Sequence, residues 1–217
     1  FKSMRNKAQL QISSVADERI VDGTVLLTNY DIVVWFTGDE SGSPLVLTTA
    51  ERTAIKNFLD NGGKLIISGS EIAYNFGRSA SANYDLAFMN NYLKSSYVAD
   101  GAITYTPATG IVSTPFEGLN IPFGIIYVED FPDAVSPING SISILNYSVA
   151  PNKAGVAYTG LFGAGTNPGA LIYLSFTLET AVDTSITSFM EKDLQFFNLQ
   201  IVTNPYANYY AASTQKR

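Results

Sequence analysis

The chain has 217 residues and 23.5 kDa, of which 46% are hydrophobic and 15% charged; a domain of that size buries on the order of 70% of its unfolded surface. A formal charge of −6, a pI near 4.6 and the lack of a basic run exclude a nucleic-acid surface built on phosphate neutralisation. The sequence holds no cysteine and no histidine, which removes Cys-His and Ser-His-Asp nucleophilic sites, imidazole general bases and ordinary zinc sites.

No apolar stretch approaches the roughly 20 residues needed to span a bilayer; residues 32–36 and 171–174 are strand-sized. Residues 1–14 contain no continuous apolar segment, so no signal peptide is read there, although a leader removed earlier fits a chain that does not begin with Met. The absence of cysteine suits either a reducing compartment or a secreted protein without disulfides.

Residues 1–9 are basic and helical in spacing (Met4, Ala8), and residues 10–15 alternate Leu10, Ile12 and Val15 as a strand would. Residues 17–28 are polar, with Asp22-Gly23 as a turn signal. DIVVWFT at 31–37 is a continuous β-branched and aromatic run that suits a parallel strand buried on both faces. After a polar loop at 38–44, Thr48 and Glu51 form a capping box for a helix whose apolar stripe is Ala54, Ile55, Phe58 and Leu59. Asn61-Gly62-Gly63 ends that helix, because glycine accepts the left-handed conformation there. Residues 65–69 follow as a second buried strand, completing a right-handed βαβ unit. The turn at Ser70-Glu71 then falls at the carboxyl edge of the sheet, where ligands bind and where hydrolases keep a nucleophile.

A second helix is expected over 83–95, capped by Ser81 or Asn83, with Leu86, Met89, Asn90 and Leu93 as its markers. From 97 to 152 the chain reads as a β-rich insertion, with hairpin strands at 103–105, 124–128 and 142–147 and turns at 131–133 and 136–140. Buried strands return at 154–158 and 170–176, joined by a glycine-rich hairpin connection at 160–169. That connection lacks the Lys-Ser/Thr ending of a phosphate loop. A helix over 184–197, apolar at Ile186, Phe189, Met190, Leu194 and Phe197, closes one domain spanning 1–198. Residues 199–217 read as a tail or linker.

The order of these motifs resembles the class I glutamine amidotransferase-like domain in the divergent form found in secreted multidomain bacterial proteins, some with golvesin or xanthan-lyase-type domains. The residues carrying the resemblance are YDIVVWFTGDE at 30–40, NGGKLIISGSEI at 61–72, FMNNYL at 88–93, FPDAVSPI at 131–138 and LIYLSFTLE at 171–179. It implies an α/β, flavodoxin-like, mostly parallel sheet flanked by helices, and a secreted or cell-surface location. Active relatives hold a cysteine nucleophile after the strand that ends here at Gly69; this chain has Ser70 and Glu71 there, so amidotransferase activity is not carried over. Such relatives also open with a further strand and helix. The first strand is therefore expected to be missing, and to be supplied by another segment or an assembly partner.

No catalytic residue, metal site or cofactor is assigned from the sequence. Ser70 has a functional reading, a degenerate nucleophile served by Glu71, and a preferred structural one in which Ser70 bonds the turn and Glu71 caps the next segment. Asp39, Glu40, Glu71 and Glu179 each follow a core strand and are the candidate ligand-binding acids, with Ser70 beside them. Gathered together they would suit Ca²⁺ or Mg²⁺, sugar hydroxyls or paired-carboxylate glycoside hydrolysis; solvated loop acids are the plainer account. Tyr74, Phe76, Tyr84 and Tyr127 are candidate stacking platforms for sugar rings, or simply half-buried aromatics. The preferred function is a non-catalytic binding or structural module engaging polysaccharide or neighbouring domains. The alternative is a glycan-directed hydrolase using the sheet-edge carboxylates.

Overall fold

The computed structural model of the chain describes residues 11–38 and 45–198. Asp39, Glu40 and the tail at 199–217 lie outside the described residues. Residues 11–16 form no strand and are largely exposed, so the described part of the alternation at 10–15 does not become one.

The βαβ unit is present. Strand β1 (Ile32–Gly38) leads to helix α2 (Thr49–Asp60), which follows a short α1 (Glu18–Val21), and then to β2 (Lys64–Gly69), parallel to β1. Both halves of the capping box form: the Glu51 N–H donates to Thr48 Oγ1, and the Thr48 N–H donates to the Glu51 carboxylate. Ile55, Phe58 and Leu59 are buried, and the helix stops at Asn61 with Gly62 at φ +88°. The ring of Phe58 lies against the place where a Cβ on Gly63 would sit, so the helix-to-strand turn closes on a residue without a side chain.

Beyond β2 the expected architecture fails. The remaining strands are β3 (Ser95–Asp100), β4 (Ala108–Gly110), β5 (Asn120–Ile121), β6 (Asp133–Pro137), β7 (Ile142–Asn146), β8 (Lys153–Gly160) and β9 (Gly169–Leu174). They join β1 and β2 in one sheet of order β1-β2-β9-β8-β7-β4-β5, with β6 bridging β3 and β8. Only β1–β2 and β2–β9 pair in parallel; β3–β6, β4–β5, β4–β7, β6–β8, β7–β8 and β8–β9 are all antiparallel. This is a curled, mixed half-barrel with few helices, not a flavodoxin-like parallel sheet flanked by helices. Among the described residues β1 is an edge strand.

The run at 31–37 predicts a parallel strand buried on both faces, yet β1 is parallel to β2 while only Val33 and Trp35 of it are buried. β9 (GALIYL), fully buried between two apolar clusters, has a parallel neighbour at one edge and an antiparallel one at the other, so burial does not report strand direction. On one side Ala170, Ile172 and Leu174 meet Phe189, Met190 and Leu194 of helix α5 (Asp183–Phe196). On the other, Leu171 and Tyr173 join Leu65, Ile67 and the α2 stripe, together with Phe76 and Phe88. The glycine-rich connection is the expected hairpin, and it makes β8–β9 antiparallel.

The helix expected over 83–95 is only α4 (Leu86–Asn91), and its cap is Asp85, whose carboxylate accepts the Phe88 N–H at 3.0 Å. A short helix α3 (Ile72–Gly77) precedes it. Ile103–Tyr105 is a 3₁₀ turn, residues 124–128 are irregular, and the supposed turn at 131–133 ends in the first residue of β6.

Candidate functional site

The ends of β1, β2 and β9 converge, as the strand reading implied, but what meets there is mostly a closed hydrogen-bond knot. Ser68 Oγ donates to the Phe176 carbonyl and accepts the Leu178 N–H, both at 2.8 Å. Ser70, fully buried, hydrogen-bonds through Oγ to Oε1 of Glu129 and lies 3.0 Å from Thr177 Oγ1. Glu129 is itself fully buried and takes the Thr177 N–H on Oε2 at 2.9 Å, while Thr177 Oγ1 donates to the Gly38 carbonyl at 3.0 Å. A hydroxyl so placed is inside the protein and committed to a carboxylate that holds backbone as well.

Glu129 belongs to the irregular segment 124–131, and Thr180 fastens the start of the same segment. The Gly124 N–H donates to Thr180 Oγ1, and the Ile125 and Ile126 N–H groups both donate to the Thr180 carbonyl at 2.9 Å. The segment is thus tied at both ends while its apolar side chains point outward: Ile126 is 64% exposed and Val128 58%, against 0% for Glu129.

Glu179 lies beside the knot without being part of it. Its carboxyl is pushed up to about 7, by burial first and then by the Glu129 charge, against opposing hydrogen bonds from its own backbone and that of Gly38. Glu71 goes elsewhere. It holds a left-handed backbone (φ 60°) at the elbow and occupies the N-cap position of α3 without a side-chain cap bond, so the capping role expected for it is not seen. Its carboxylate instead meets two acids that sequence reasoning missed, Asp100 at the end of β3 and Asp133 at the start of β6. One carboxylate oxygen from each of the three lies within 4.8 Å of the others.

Glu71 and Asp100 line a cleft of about 440 Å³, walled by Tyr74, Arg78, residues 80–83 and Phe131. Of the aromatic candidates, Tyr74 lines this cleft, Tyr84 and Tyr127 are 44% and 41% exposed, and Phe76 is core, edge-on to Phe88. The missed acids come together through the pairing of β3 with β6, where Asp100 and Asp133 face each other, and no local sequence pattern announces that pairing. Glu129 gave no signal either, because an apolar run precedes it and reads as a strand.

No protein-family model and no curated protein matches the chain. Solved structures do. The chain is similar in fold to Gan42B, a GH42 β-galactosidase from G. stearothermophilus, at 10% identity and a TM-score of 0.57, over 93% of this chain and 25% of that one. It is similar also to the β-galactosidase of Rahnella sp. R3, at 13% identity and a TM-score of 0.58, over 91% of this chain and 26% of that one. A β-galactosidase from the haloarchaeon Halorubrum lacusprofundi gives 13% identity, a TM-score of 0.53 and coverage of 93% and 26%. At such identities the likeness is one of fold, and the chain spans about a quarter of each of those enzymes. Together with the antiparallel pairings, these neighbours replace the amidotransferase-like, flavodoxin-like expectation. No helix among the described residues is long and apolar enough to cross a membrane.

Proposed function

We propose that the chain is a non-catalytic docking module of a larger, secreted or cell-surface, glycan-processing protein. The carrying observation is the segment 124–131: Glu129 is drawn wholly inside to pin it, and Ile125, Ile126, Tyr127, Val128 and Phe131 are left 41–64% exposed in a row. A contiguous apolar strip on a rigid support is the mark of a covered surface. Its occupant is an adjoining part of the same parent polypeptide, consistent with a fold that fills about a quarter of the β-galactosidases it is similar to. In this reading the sheet edge that would bind substrate is spent on holding the strip. The test is hydrogen exchange at 125–128 in the isolated chain and in the full-length parent. Protection in the parent is the expected result, and equal exchange in both sinks the proposal.

One observation favours a glycan-directed hydrolase instead: Glu179, at about 7, is tuned as a general acid would be. Its neighbouring carboxylate, Glu129, is however buried and engaged by Ser70 and the Thr177 backbone. The isolated chain should therefore show no turnover of aryl glycosides. Turnover that disappears in Glu179→Gln would establish the hydrolase.

A further inference from the structure

Asp100 and Asp133 sit directly opposite each other in the β3–β6 ladder. Like charges at facing positions destabilise a strand pair, and Glu71 adds a third carboxylate within 4.8 Å. Asp133 is fully buried. Its Oδ2 is fixed by the Tyr74 N–H at 2.9 Å, but Oδ1, also shut off from solvent, has no hydrogen-bond partner. A buried acceptor in such a place lacks something positive.

We propose that Glu71, Asp100 and Asp133 form a Ca²⁺ site at the floor of the cleft, with Asp133 Oδ1 as its buried ligand. Calcium takes oxygen ligands at about 2.3–2.6 Å in flexible geometry, so two ligands on opposite sides of one ion stand about 4.8 Å apart. The three oxygens already lie within that span. The cleft gives entry from solvent and room for waters to complete the coordination. Magnesium, with bonds of about 2.0–2.1 Å and a strict octahedron, tolerates an irregular ligand set less well than calcium does. Bound calcium would join the elbow after β2 to β3 and β6, which no strand pairing does directly. The site does not depend on the docking role, and it is measured on the isolated chain.

The experiment is calorimetric titration of the chelator-stripped chain with CaCl₂ near neutral pH, with terbium luminescence excited through Tyr74 as a second readout. One ion per chain is expected, with a raised unfolding temperature. Magnesium should bind at least tenfold more weakly. Asp133→Asn should abolish binding. Because that buried variant could misfold, Asp100→Asn, an exposed change, should lower affinity at least tenfold with the fold intact. Absence of calcium binding, undiminished binding in Asp100→Asn, or equal affinity for MgCl₂ would each overturn the assignment.

Discussion

Glu179 carries the clearest consequence at the level of a single side chain. Its folded pKa of about 7 lies above the ordinary 4.5, so between those two values the folded state holds a proton that the unfolded chain has released. Stability therefore falls as pH rises from 4.5 to 7, and the loss is complete above that window. Glu179→Gln keeps the shape, stays neutral and should flatten this part of the profile. Thermal unfolding from pH 4.5 to 8 in both proteins checks it, and an unchanged slope in the variant would remove Glu179 as the cause. Ser70 teaches the opposite lesson about residue-level reading. Its place at the elbow was legible and its structural role was the preferred reading, but its partner, Glu129, is 59 positions away in sequence and no local pattern announces it.

Among the elements, those set by local rules were the ones visible in the sequence. The capping box at Thr48, the α2 stripe, the stop at Gly62, the strand at β1, the buried runs of β2, β8 and β9, and the hairpin between the last two all follow from neighbours within a few residues. Residues 124–128 read as a strand because an exposed apolar run satisfies the same periodicity, while the shape of the segment 124–131 is dictated by Ser70, Thr177 and Thr180. That dependence can be measured. Glu129→Ala leaves the Ser70 hydroxyl and the Thr177 N–H without their acceptor inside the protein, at a cost of about 3 kcal/mol. It should also release 124–131 to limited proteolysis before the rest of the chain unfolds; cleavage no faster than in the parent sequence would show that Thr180 alone holds the segment.

For the whole molecule, strand direction was the part that sequence could not supply. Alternation and burial report how many faces of a strand are covered, and they are silent on which way its neighbours run. The same gap hid the acid cluster, since Glu71, Asp100 and Asp133 come together only once β6 bridges β3 and β8. Asp39 and Glu40 lie outside the described residues, and Glu71 and Glu179 part company at the edge, Glu71 to the cleft and Glu179 beside the knot.

The pairing of β2 with β9 reaches further than architecture. Lys64 meets Ala170, and Ser68 meets Leu174, across nearly half of the chain. During synthesis the first parallel pair must therefore wait on the ribosome with one edge of β2 open until β9, about 100 residues further on, has been made. Folding that depends on so distant a contact is slow, because a large loop must close before the contact returns any free energy. A nascent chain stalled short of residue 169 should remain protease-sensitive, and one released past α5 should become resistant in a single step. Resistance acquired gradually, strand by strand, would contradict this. A chain built in this way spends its early life with its apolar centre uncovered, and its yield in a cell should depend on chaperone supply more than on the stability of the finished fold.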